Sequence, residues 1–277
     1  LKNYYEKNQM NIIASSPQGL ENILAKEISD LGGEYIKTFK RFVSFSCDHA
    51  TFYRLHFFSR IPFHFYREIA RFSCHDRKSL YTGVQSSFDW IRWISVDMNF
   101  RVEVTGSAPL LRHSHFTALE VKNSIIDLQK AVLGDRSNIS LNNPDIIIHL
   151  HLYNEEAVLS LQSTSQSLHK RGYRPAMASA PLKENVAAGL LRMTSWDGTQ
   201  PLVDLMCGSG TFLIEAASQC LKMPLPLKSN YLFENWLDFE KDLFVSLKSN
   251  LVKQLSHENQ LLKLDGYEIN NDVFNQA

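Results

Sequence analysis

Cysteine is scarce in this chain: four residues in 277 (Cys47, Cys74, Cys207 and Cys220), none of them in a CxxC pair. Such wide spacing argues against a disulfide framework or a zinc site and suits reduced thiols. Long apolar runs are missing as well. No stretch approaches the length a membrane-spanning helix requires, and the opening LKNYYEKNQM lacks the apolar core of a signal peptide. These absences predict a soluble, cytoplasmic protein. Net charge is the third absence, since 29 Lys+Arg offset 29 Asp+Glu, and taken alone that balance argues against a nucleic-acid partner. With 44% hydrophobic and 21% charged residues, no internal repeat and no low-complexity tract, the chain is expected to fold into at least two packed units.

The charge is unevenly placed. Residues 1–180 hold 21 Lys+Arg against 17 Asp+Glu, and residues 181–277 hold 8 against 12. The positive excess falls between Arg54 and Arg112, and nine of the ten histidines precede residue 180. A basic front and an acidic rear suit an RNA-gripping module joined to a small-molecule domain.

Hydrophobic periodicity supplies the elements. MNIIAS reads as a strand, and the following helix carries Leu20, Ile23, Leu24, Ile28 and Leu31 at helical spacing until Gly32-Gly33. RFVSFSC reads as the next strand, which makes half of a ferredoxin-like unit. TFYRLHFFSRIPFHFYREIARFSC reads as a helix running into a strand with Arg54, Arg60, Arg67 and Arg71 outside. WISVDMNFRVEVTGS alternates as a strand, HSHFTALEVKNSIIDLQKAVLG as a helix, and PDIIIHLHLYNEEAVLSLQST as two strands around Asn154-Glu155-Glu156. From Pro181 the pattern changes to PLKENVAAGLLRM (helix), PLVDL (strand), GSGTFLIEAASQCL (helix), a helix near 238–255 and a strand at LLKLDGYEI. Alternation of this kind marks the start of a parallel sheet.

The most specific string is VDLMCGSGTFLIEAA at 203–217, a strand ending in Asp204, a glycine turn and a helix. Glycine lets the backbone approach a ligand, and a helix N-terminus offers N–H groups and positive dipole to a carboxylate. Asp204 is placed to accept from an ammonium group, so the turn suits the amino-acid end of S-adenosylmethionine. A dinucleotide GxGxxG is disfavoured because Leu213 stands where the third glycine belongs. Further along, KLDGYEIN ends a strand at Glu268, whose carboxylate suits a ribose diol. In LHKRGYR, Lys170, Arg171 and Arg174 surround Tyr173, a set able to contact phosphates and stack on a base, or to stand as a solvated linker. His149 and His151 share a strand face without an acidic or cysteine partner, so no metal site is expected there, and they read with His113 and His115 as surface residues. Cys207 reads as a loop-packing residue.

LHKRGYR, APLKENVAA and DLMCGSGTFLIEAA, in that order, resemble the THUMP-associated guanine-N2 RNA methyltransferases, with the bacterial 23S ribosomal RNA group nearest. ASSPQGLENILAKEI is similar to that family's ferredoxin-like piece, PDIIIHLHLYNEEAVLSLQST to the end of its THUMP module and FENW at 233–236 to its insertion after the cofactor helix. The resemblance implies an α+β N-terminal region (ferredoxin-like over 1–65, THUMP over 66–165). The opening of an α/β Rossmann-like methyltransferase domain over 166–277 would follow. It implies S-adenosylmethionine held by Asp204, Gly208, Ser209, Gly210 and Thr211, its ribose on Glu268, and Lys183 and Glu184 closing the rim. It implies structured RNA as partner, through Lys170, Arg171, Tyr173 and Arg174 among others. The family's Asn/Asp-Pro-Pro-aromatic catalytic motif is expected beyond residue 277, so this stretch alone is expected to be catalytically silent, with no catalytic residue assigned within it. A tRNA guanine methyltransferase of the same architecture and a non-catalytic RNA-binding relative remain the alternatives.

Overall fold

The computed structural model describes residues 9–173, 182–225, 231–254 and 263–270. Its first strand, β1 (Met10–Ser15), buries alternate residues, and α1 (Glu21–Asp30) lays Leu24 and Ile28 on the same core. Two strands follow, not one. β2 (Glu34–Phe39) is a short edge strand whose side chains are nearly all exposed, so it carries no apolar alternation for a sequence reading to detect. β3 (Phe42–Cys47) shows the expected alternation and lies between β2 and β1.

Helix α2 (His49–Phe58), capped by the Asp48 carboxylate on the Thr51 N–H, leads into β4 (Phe65–Ser73). β4 is the seam of the molecule. One end pairs antiparallel with β1 (Ala14 opposite Phe65), and its length pairs with β8 (Glu156–Gln162). The expected boundary at residues 65 and 66 therefore falls inside a continuous sheet of eight strands, ordered β2-β3-β1-β4-β8, then β7 (Ile146–Tyr153), β5 (Asn99–Ser107) and β6 (Asn138–Ile139).

The THUMP half adds α3 (Arg77–Ser87), the single turn α4 (Trp90–Trp93), β5 (Asn99–Ser107), α5 (Ser114–Leu133), β6 (Asn138–Ile139) and β7 (Ile146–Tyr153). The strand expected to include WIS begins only at Asn99. Asp89 caps a helical turn there, and the buried Trp90 indole N–H donates to the Val84 carbonyl at 2.6 Å. α5 ends where expected, at Gly134 with φ 72°. Its inner face is Val121, Ile125 and Leu128, while Val132 points to solvent.

The rear begins with α6 (Glu184–Met193), followed by β9 (Leu202–Asp204), α7 (Thr211–Cys220) and β10 (Leu264–Gly266). β9 and β10 pair in parallel, as the alternation predicted. Between α7 and β10, a 3₁₀ turn (Leu232–Asn235) and α8 (Lys241–Gln254) fold back onto the front. Leu232 N–H donates to Ser163 O at 2.9 Å, and Phe233 and Trp236 pack against Phe52 at 5.4 and 5.7 Å between ring centroids. Arg67 follows from this fold-back. Expected outside, it lies between Trp93 and Trp236 at 5.2 and 5.6 Å and grips Asp238 with both guanidinium nitrogens at 2.8 and 2.7 Å. The Asp238 carboxyl is desolvated, but the hydrogen bonds and charges of His49 and Arg67 outweigh that and hold it well below the usual range. Among the described residues no helix is long and apolar enough to cross a membrane.

Candidate cofactor site and its junction with the front module

β9 delivers Asp204 to the edge of an open turn. The Asp204 carboxylate accepts the Met206 N–H at 3.1 Å, and its backbone carbonyl accepts the Tyr267 N–H at 2.8 Å, tying the ends of β9 and β10 together. Cys207 N–H donates back to Tyr267 O at 2.9 Å. Gly208 and Gly210 both take positive φ, 56° and 74°, so side chains there would be strained. A Cβ on Gly208 would meet nothing within 4 Å, and one on Gly210 only the Ile214 side chain at 3.9 Å. The turn thus faces open space at both glycines, and α7 starts directly after Gly210.

Glu268 joins this turn directly. One carboxylate oxygen accepts the Gly208 N–H at 3.0 Å and the other accepts the Asn270 N–H at 2.9 Å. A carboxylate offers about four lone-pair directions, so two bonds leave capacity for hydroxyl donors. The residue pair expected from two separate strings is therefore one local assembly. Gly266, which sequence reasoning passed over, permits it: a Cβ there would lie 2.7 Å from Leu213 Cδ1 and 3.1 Å from Cys207 Sγ. The Cys207 thiol is pushed up by burial and by the charges of Asp204 and Glu268, and its sulfur lies in the turn against Gly266.

The two residues expected at the rim stand at the start of α6. The Lys183 ammonium stands 5.1 Å over the Phe63 ring, against the front half, and Glu184 is buried at the start of α6. Two basic residues expected on surfaces are also inside. Arg171 is 5% exposed and pairs with Glu215 Oε1 at 2.7 Å, while its Nη2 donates to the Arg60 carbonyl at 2.7 Å. Tyr173 donates its hydroxyl to Glu215 Oε1 at 3.0 Å, and burial together with that carboxylate pushes its own ionisation far up. A buried guanidinium used in this way is withdrawn from phosphate contact, which corrects the RNA-contact reading for Arg171, while the half-buried Tyr173 has its hydroxyl committed to Glu215. Lys170 is exposed, and Arg174 lies outside the described residues. Arg60, also expected outside, is buried: it reaches Glu215 Oε2 at 3.4 Å and donates to Ser218 O at 3.1 Å and to Met223 O. Nearby, buried Glu27 of α1 accepts from Ser59 Oγ at 2.6 Å and Arg60 N at 2.8 Å and pairs with Arg192 of α6 at 2.9 Å.

The surface reading of His149 is corrected as well. His149 and His151 share one face, both meeting Thr105 Oγ1 at 3.1 and 3.0 Å, but His149 is buried against Tyr66 and burial pushes its pKa down to about 4.

Three family matches tile the chain: a ferredoxin-like domain of the RlmL type at residues 11–62, a THUMP domain at 75–162, and an RMKL-like methyltransferase domain at 171–277. A protein of Synechocystis sp. named as an RNA methyltransferase is 41% identical over 235 residues, covering 84% of this chain and 61% of that protein. The ribosomal RNA large subunit methyltransferase K/L of Vibrio campbellii is 37% identical over 238 residues, covering 86% of this chain and 34% of the relative. The chain thus spans less than two thirds of one of these relatives and about a third of the other. A solved protein of Clostridium difficile 630, described as a possible methylase, superposes with a TM-score of 0.86 at 28% identity, covering 97% of this chain and 71% of that one. A methyltransferase solved in complex with SAH shares the fold with a TM-score of 0.83 at 23% identity, covering 98% of this chain and 71% of that one. In chain order these matches give a ferredoxin-like domain of the RlmL type, a THUMP domain and an RMKL-like methyltransferase domain, and S-adenosylmethionine is the methyl donor of such a domain.

Proposed function

We propose that the whole protein methylates the exocyclic N2 amine of a guanine in 23S ribosomal RNA, in the cytoplasm. The observation that supports this reading most is the glycine turn at Gly208 and Gly210, open where side chains would stand, with the carboxylates of Asp204 and Glu268 both hydrogen-bonded to its backbone. Asp204 and the turn over Gly208, Ser209, Gly210 and Thr211 would hold the methionine end of the donor, and Glu268 its ribose. When bound, S-adenosylmethionine supplies the electrophilic methyl group. The guanine amine is a poor nucleophile because its lone pair is delocalised into the ring, so the protein's share is positioning and electrostatics. No residue described here is assigned to the base.

For the RNA we propose a surface other than the Arg171–Tyr173 cluster. Strands β4, β7 and β5 run in one direction and end together at Ser73, Tyr153 and Ser107. α3 and α5 start at that edge and run side by side, Arg77 meeting Glu120 and Tyr81 meeting Asp127. The edge exposes Arg77, Lys78, Arg112, His113, His115 and Phe116, the last 68% exposed. Nearby Glu120, Glu155 and Glu156 are each paired with Arg77, His75 and Arg71, respectively. Exposed cations beside an exposed ring suit phosphates and an unstacked base. The identity to ribosomal K/L enzymes favours ribosomal over transfer RNA as the target.

Calorimetric titration with S-adenosylhomocysteine tests the donor site. Gly210→Val should abolish binding, and Glu268→Ala should weaken it by about 1–3 kcal/mol, the cost of hydrogen bonds to a charged group. Unchanged affinity in both variants overturns the assignment. Tritiated methyl transfer by the full-length protein to unmodified 23S ribosomal RNA and to tRNA, with the modified nucleoside identified, decides the substrate.

A further inference from the structure

The cofactor helix is held in place by side chains from outside its own sheet, Arg60 of the front half and Arg171 and Tyr173 of the segment ahead of α6. Glu215 lies on α7 four residues after Thr211, so it stands on the same helix face about one turn, roughly 6 Å, behind the glycine turn. It is fully buried, and its carboxylate faces three groups from the front and the linker: Arg60 at 3.4 Å, Arg171 at 2.7 Å and the Tyr173 hydroxyl at 3.0 Å. Arg60 also donates to Ser218 O in the last turn of the same helix at 3.1 Å and to Met223 O in the segment just after it. That guanidinium therefore reads both the rotation of α7, through Glu215, and its position along the axis, through the Ser218 carbonyl. Arg60 is fixed in turn by Glu27 of α1, which accepts its backbone N–H at 2.8 Å, and by Arg171, which donates to its carbonyl at 2.7 Å. Arg192 completes the circuit, pairing with Glu27 at 2.9 Å while its Nε donates to Gln219 of α7 at 3.2 Å.

Buried ion pairs are poor stabilisers compared with apolar packing of the same volume, because desolvation offsets their attraction. Their directional geometry is what apolar packing cannot supply, above all with the planar fork of arginine. Resting on the donor-site reading above, we infer that Glu215 is a positioning residue for the cofactor turn. The front module and the linker leaving the THUMP domain set the register of α7 through it, and α7 carries Gly208–Thr211 as a rigid extension. Cofactor affinity is then a property of the docked front module as well as of the glycine turn.

The test uses the full-length protein and S-adenosylhomocysteine as probe. Glu215→Asp keeps the charge but withdraws the carboxylate by about one bond length, ~1.5 Å. S-adenosylhomocysteine affinity should fall at least about tenfold, the order of one lost hydrogen bond to a charged group, while RNA retention on filters stays at the wild-type level. Ala216→Gly, at the neighbouring buried position, loosens the same helix without touching the charges and should leave affinity within about twofold. Tyr173→Phe removes one hydroxyl from the same carboxylate and should weaken binding about threefold, and it serves if the aspartate variant does not fold. Equal affinity in wild type and Glu215→Asp, or a loss no greater than that of Ala216→Gly, overturns the inference and leaves the donor site standing; should Glu215→Asp not fold, wild-type affinity in Tyr173→Phe does the same. A wild-type protein that takes no S-adenosylhomocysteine overturns the donor site and this inference together.

Discussion

Acid should loosen the front half of this protein, and His56 shows by how much. Its ring is fully buried, with Nδ1 2.8 Å from Phe52 O and Nε2 2.7 Å from Ser163 Oγ. A carbonyl only accepts, so the neutral ring carries its proton on Nδ1 and takes the Ser163 hydroxyl proton at Nε2. Phe52, Phe65 and Phe233 surround it with ring centroids at 4.5, 4.9 and 4.8 Å, and burial in that cage pushes the pKa from 6.5 down to about 4. The unfolded chain therefore takes up the proton first as pH falls. The stability this group contributes is present above pH 6.5 and is lost progressively toward pH 4. Integrating between pH 7 and pH 5 gives a loss of about 2 kcal/mol from this one residue. The check is urea unfolding of wild type and His56→Gln at both pH values, followed by tryptophan fluorescence. The variant starts less stable but should lose about 2 kcal/mol less on acidification. Equal losses in the two proteins would refute the argument, because the remaining titrating groups are common to both.

Three further outcomes follow from the geometry. Gly266→Val should overpack the β10–α7 contact by about 1–3 kcal/mol and weaken S-adenosylhomocysteine binding without altering RNA retention, since its Cβ would meet Leu213 and Cys207. Arg67→Met should destabilise the protein by about 2 kcal/mol in thermal melts, less than a fully buried pair would lose because Asp238 is a third exposed. Replacing Arg77, Lys78 and Arg112 together by Gln should flatten the salt dependence of RNA binding, with the log–log slope falling by roughly 2 at about 0.7 per phosphate contact. Replacing the buried Arg171 should leave that slope unchanged.

The residues that form the glycine turn were legible in the sequence because the information is contiguous. Asp204, Gly208 and Gly210 lie within seven positions, and a strand, a tight turn and a helix each impose a local pattern. The helices over 21–30 and 114–133 were legible for the same reason, one apolar face repeated over several turns. β2 was not, since an exposed edge strand leaves no periodic signal. Nor could charge content locate the arginines: Arg60, Arg67 and Arg171 read as basic surface, yet each is inside or clamped. Their partners, Glu215 for Arg60, Asp238 for Arg67 and Glu215 for Arg171, stand 155, 171 and 44 positions further on. A buried charge is tolerable only when an opposite charge meets it, and that meeting is made by the chain folding back on itself. The glycine turn was therefore written in local sequence, while the contacts that dock its helix on the front half exist only in three dimensions.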